Sequence, residues 1–163
     1  MKLSKLTLGY GLYIIISASF VTKVWGFFEK LFGADNAELF RIATFVIFAF
    51  LILAYILKSR SGFLRIFASF LFLSLALIFS WRQPYFVEKL HIFEYGLLGW
   101  LVTRDLNKDK ISINGILLAI LFASLIGVLD EGFQKLLPYR VCDIRDMLTN
   151  AISGSFGVIL YLL

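Results

Sequence analysis

The chain has 163 residues, 60% of them hydrophobic and 18 of them phenylalanine, with a mean hydropathy of +0.88, which excludes an ordinary soluble domain of this size. The net charge of +5 does not mark a nucleic-acid binder, because no basic cluster is interleaved with aromatic residues. A single cysteine, Cys142, excludes an intramolecular disulfide, and as a catalytic thiol it would need the single histidine as its base.

Uncharged runs occupy Leu6–Thr22, Ile42–Leu57, Ile66–Trp81, Ile111–Leu129 and Met147–Leu163. Each is near the shortest length that crosses a bilayer, and flanking Lys and Arg lengthen such runs by snorkelling. The pattern predicts an all-α fold: one integral membrane domain over 1–163, a polytopic bundle of about six transmembrane helices. Segment 1–82 would be a scaffold of three helices and segment 85–163 a core of three more. Membrane lipids are the expected surroundings, and no nucleic acid is expected as partner.

In chain order, helix one is expected over about Leu6–Thr22. Its lysines, apolar run and small residues resemble a secretory signal peptide, but it is expected to stay as an uncleaved first span. The connection Lys23–Glu38 mixes Trp25, Phe27, Phe28, Leu31 and Phe32 with charges, as a short interfacial helix or loop does. Helices two (Glu38–Leu57) and three (Phe63–Trp81) carry no ionisable residue near their centres. Helix four, about Val87–Thr103, differs: Glu88, His91 and Tyr95 share a face and Glu94 stands beside His91, so its polar half needs shelter from other helices or water. Helix five runs to about Leu136, and helix six begins near Asp143.

The stretch from Asp130 to Gly157 is where function is expected. Asp130, Glu131 and Gln134 lie one turn apart at the end of helix five; Asp143, Asp146 and Asn150 step along the next helix, and Gly154 and Gly157 continue that stripe. If all six helices cross, these groups and His91 and Glu94 open on one membrane face; a re-entrant helix four would separate them. The lysines and arginines divide eight and eight between the two sides, and setting aside Lys135, Arg140 and Arg145 as site residues favours a cytoplasmic N-terminus with the site on the outer face. Crowded carboxylates in a partly desolvated place make general acids and bases, or oxygen ligands for a divalent metal such as Mg²⁺, Ca²⁺ or Mn²⁺. A histidine admits Zn²⁺, although no His-x-x-x-His or cysteine pair supports a dedicated zinc site. The candidate catalytic residues are His91, Glu94, Asp130, Glu131 and Asp146, and the candidate substrate-binding residues are Tyr95, Gln134, Arg140, Asp143 and Asn150. Plainer roles stand beside these: His91 as a packing residue, Asp143 as a helix cap, and the two glycines as close packing.

Three ordered blocks, His91, Glu94 and Tyr95 in LHIFEYGLLG, then DEGFQKLLPYR, then Asp143, Asp146, Asn150, Gly154 and Gly157, resemble the VanZ-like family over about residues 85–163. That family is named for a membrane protein linked to resistance against the glycopeptide teicoplanin. The resemblance implies a protein of the bacterial envelope that acts on the surface or on lipid-linked precursors. Tyr139 departs from the small residue usual at its position, and segment 1–82 carries no family signature.

Two readings of function follow. One is an intramembrane enzyme acting on a lipid or lipid-linked envelope molecule, with Glu131 or Asp146 as base or metal ligand, His91 as acid or base, and Arg140 as an anion clamp. The other is a non-catalytic binder or transporter of a cationic or amphipathic ligand, although neither broken helices at mid-membrane nor an internal repeat is visible.

Overall fold

Helix formation starts where a short polar side chain replaces a missing backbone partner. Ser4 caps α1 (Lys5–Ser17) by accepting from the Thr7 amide at 3.2 Å, and Ser112 caps α6 (Ile113–Gln134) by accepting from the Gly115 amide at 3.1 Å. The computed structural model describes residues 2–58, 62–82, 86–138 and 142–163, apart from the side chains at 86 and 87. Among these the chain is entirely helical: α2 (Val21–Phe32), α3 (Ala34–Lys58), α4 (Phe63–Trp81), α5 (Phe86–Leu106) and α7 (Ile144–Leu162) complete the set.

The helix beyond the expected six is α2, which forms inside the aromatic connection between the first two apolar runs. Gly33 closes it with φ +82, a left-handed conformation that glycine adopts without steric cost, and α3 begins at the next residue. By length and composition α3, α4 and α6 can each cross a membrane, and α1 with α2 adds a fourth span if the two count as one broken crossing. The polar residues of α5 and α7 keep those helices below the same measure, so about six crossings are not reached on this basis. Large apolar side chains such as Phe50, Leu121 and Leu125 face outward at 66%, 64% and 51% exposure, an arrangement that suits lipid and not water.

The chain divides into two compact units. The first joins Met1–Ser19 to His91–Leu162, so α1 packs with α5, α6 and α7, although the sequence groups it with the scaffold segment 1–82. Its core is Ile14, Tyr95, Leu98, Val102, Ala119, Ala123, Ile126 and Val158. The second unit, Phe20–Leu90, holds α2, α3 and α4; Phe45 meets the edge of Trp81 at 5.8 Å, and Lys89 lies over the Trp81 ring at 4.5 Å.

Candidate functional site

The first unit builds its polar centre by letting one helix face change character along its length. The buried positions of α6 run Gly115, Ala119, Ala123, Ile126, Gly127, then Asp130, Glu131 and Gln134, all at helical spacing. Small residues at the start of that face admit the neighbouring helices, and its last turn carries two carboxylates and an amide into the interior. On α7 the buried residues Thr149, Asn150, Ser153, Gly154, Gly157 and Val158 form the matching face.

Glycines set the approach of α5 to α7. A Cβ on Gly99 would run into the carbonyl oxygen of Gly154, and one on Gly157 into the carbonyl oxygen of Gly96. The two backbones touch, which only glycine allows. A Cβ on Gly154 would stand 2.7 Å from that of Ala123, so α7 is pressed against α6 as well.

This close packing brings Tyr95 of α5 to Asp130 of α6. The Tyr95 hydroxyl donates to Asp130 Oδ2 at 2.9 Å, and Gln134 Nε2 donates to the same oxygen at 3.2 Å and to Glu131 Oε1 at 3.0 Å. Glu131 Oε2 accepts from the Asp143 amide at 3.2 Å, which ties the start of α7 to the end of α6. All four side chains of the chain Tyr95, Asp130, Gln134 and Glu131 are at most 3% exposed. Adjacent buried carboxylates repel, and donors shared between them are what make such a pair tolerable in a low dielectric.

Around that chain, His91 is buried one turn before Tyr95, their rings edge-on with centroids 5.6 Å apart. Glu94 is half-buried on the same helix. Asn150 is fully buried, and neither its Oδ1 nor its Nδ2 has a hydrogen-bond partner among the described residues; the same holds for Ser153 Oγ one turn on. Gly127 makes room for Asn150, because a Cβ there would stand 2.8 Å from the Asn150 Cβ and 3.5 Å from the Tyr95 ring.

Other expected site residues lie further out. Asp143 is exposed and caps α7: its side chain accepts from the Arg145 amide at 2.8 Å and its carbonyl from the amides of Asp146 and Met147. Asp146, partly exposed, has Oδ1 3.5 Å from Arg145 Nη2. Arg140 falls outside the described residues. Glu88, on the first turn of α5, belongs to the second unit. Among the described residues no group of three or more His, Cys, Asp or Glu is arranged to hold a metal ion, and the donors of Gln134 and Tyr95 occupy carboxylate lone pairs that a cation would need.

A second polar network was not singled out from the sequence. Asp105, at the far end of α5, accepts from the Ser4 amide at 2.8 Å and the Thr7 hydroxyl at 2.6 Å through Oδ2, and from Arg104 Nη2 at 2.8 Å through Oδ1. Burial opposes its ionisation, but the hydrogen bonds from Thr7, Ser4 and Arg104 prevail and hold its carboxyl below the usual carboxylate range. Next to it Asn107 Oδ1 accepts from the Ser112 amide at 2.8 Å, in space that a Cβ on Gly115 would fill. The signal in the sequence was a serine just before the first apolar run and an acid inside the charged connection after helix four.

Residues 77–163, just over half of the chain and all of the polar centre, match the family model described as VanZ/LLP1. No curated protein and no solved structure matched the chain.

Proposed function

Because the chain belongs to the VanZ/LLP1 family, we propose that it is a multi-pass protein of the bacterial cell membrane that acts on a lipid or lipid-linked envelope molecule, and that this action lowers sensitivity to glycopeptides of the teicoplanin type. In this reading the N-terminus is cytoplasmic and the site opens at the outer interface. Glu131 or Asp146 takes a proton, His91 gives or takes one, and Arg140 holds an anionic group of the ligand. Tyr95 and Gln134 fix the carboxylates, Glu94 borders His91, and Asn150 offers one donor and one acceptor to a ligand hydroxyl or amide.

The observation that carries the reading is the buried chain Tyr95, Asp130, Gln134 and Glu131, with Asn150 beside it and its amide without a hydrogen-bond partner among the described residues. Two buried carboxylates and an unpaired amide cost stability, on the order of 1–3 kcal/mol for the amide alone, and a fold retains such groups where function uses them.

The test is mass spectrometry of lipids after the purified protein is reconstituted with bacterial lipid extract, comparing wild type with Glu131→Gln and Asp146→Asn. A lipid converted by wild type and by neither variant identifies an enzyme and its substrate. A lipid bound unchanged by wild type and lost from the variants supports the non-catalytic binder or transporter. Identical lipid profiles from three folded proteins would overturn the site.

A further inference from the structure

The second unit carries a surface that the polar centre does not use. On α2 the exposed residues Val24, Phe27 and Leu31 recur at steps of three and four, a single apolar stripe at 58%, 67% and 62% exposure that Phe20, the residue before the helix, extends at 42%. The side of the helix next to the stripe packs on α3: Phe28 and Trp25 meet Phe40 at ring-centroid distances of 4.8 and 6.1 Å. Glu29 turns toward α3, where Arg41 pairs with it at 3.5 Å and with Glu38 at 3.0 Å while stacking over Trp25 at 4.8 Å. On the other side of the stripe stand Lys23 and Lys30, seven residues apart and both exposed.

The partners of α2 also set its depth. Asp35, Glu38 and Arg41 all lie in the first turns of α3, and the uncharged part of α3 begins only at Ile42. A helix packed against Phe40 and Arg41 is therefore level with the charged start of a crossing helix, where headgroups lie, and not with its apolar middle. An acid paired with Arg41 of α3 on one flank, exposed lysines on the other and an apolar stripe between them is the charge arrangement of a helix that rests on an anionic lipid surface.

We propose that α2 is an interfacial foot that lies in the headgroup layer with its stripe Val24, Phe27 and Leu31 in the acyl boundary, and that Lys23 and Lys30 hold anionic phospholipid headgroups. The foot anchors the second unit at a fixed depth and gathers anionic lipid beside the protein.

Depth is tested in the full chain carrying Cys142→Ser, with single spin-labelled cysteines placed from 22 to 31 and vesicles of phosphatidylethanolamine and phosphatidylglycerol. Accessibility to oxygen and to a nickel complex should oscillate with the helical period, labels at 24, 27 and 31 sharing one shallow depth. Depth that changes steadily along the helix would mean the second half of a broken span, and labels at 24, 27 and 31 shielded from both reagents would mean that protein covers the stripe; either overturns the proposal. Lipid class is tested by native mass spectrometry of phosphatidylglycerol and phosphatidylcholine bound to wild type, K23Q/K30Q and K23R/K30R. Near-surface lysines contribute roughly fivefold each, so the glutamine variant should lose about tenfold or more of the phosphatidylglycerol preference and the arginine variant should keep it. An unchanged preference in K23Q/K30Q would overturn the headgroup assignment.

Discussion

Tyr95 and Asp130, 35 residues apart in sequence, are joined across α5 and α6 by a buried hydrogen bond of 2.9 Å. Tyr95→Phe keeps the ring against His91 and Gly127 but leaves Asp130 with one donor fewer. The loss should be about 1–3 kcal/mol, read as a lower unfolding midpoint in nanodiscs, and Asp130→Ala should cost no less because it removes the acceptor of the Tyr95 hydroxyl and one of the two acceptors of Gln134 Nε2.

The contact between α5 and α7 leaves no room for a methyl group. Gly157→Ala or Gly99→Ala must push the helices apart and should cost roughly 1–3 kcal/mol, as overpacking does. Gly132→Ala, in the last turn of α6, is the control: among the described residues nothing lies within 4 Å of its Cβ, and a helical alanine there should leave the midpoint unchanged or raise it. Thermal unfolding of the three variants side by side checks the contrast.

Asn150 should separate stability from function. Asn150→Leu replaces a buried amide that has no partner among the described residues by an apolar side chain of similar size, so the unfolding midpoint should hold or rise while lipid binding or conversion falls at least about tenfold. A variant that keeps full lipid activity would remove Asn150 from the site.

The Asp105 network predicts an acid limb. Its carboxyl lies below the usual range in the folded protein, so its contribution is complete above the unfolded value of about 3.9 and is lost as pH falls further toward the folded value. Wild type should therefore lose stability below about pH 4, and Asp105→Asn should begin less stable at neutral pH and fall less steeply over the same window. Unfolding midpoints across pH 2 to 7 for the two proteins decide it.

Much of this was open to reading from residue spacing. The apolar run ending at Trp81 gave α4 its observed limits, and Asp130, Glu131 and Gln134 share the face that their spacing of one and three requires. The partners across helices were not open to reading. Nothing local to Tyr95 says that it will meet Asp130, and nothing local to Asp105 distinguishes it from the other charges of its connection. Both depend on which helices become neighbours, and that choice is made by the glycines and alanines of three different segments. The helix α2 was half visible, because aromatic residues mixed with charges suit a headgroup-level helix or loop equally until Gly33 and Phe40 show how the segment folds back.

The bond from the Ser4 amide to Asp105 joins residues 101 positions apart and has a consequence for how the protein is made. A chain enters its membrane from the N-terminus onward, so α1 is delivered long before the end of α5 exists. Until then the Ser4 amide and the Thr7 hydroxyl lack their acceptor and α1 lacks its core partners, while α2, α3 and α4 emerge in unbroken succession and can pack at once. The later helices must therefore come back to α1, so the first unit cannot complete its core until α5, α6 and α7 have all been made.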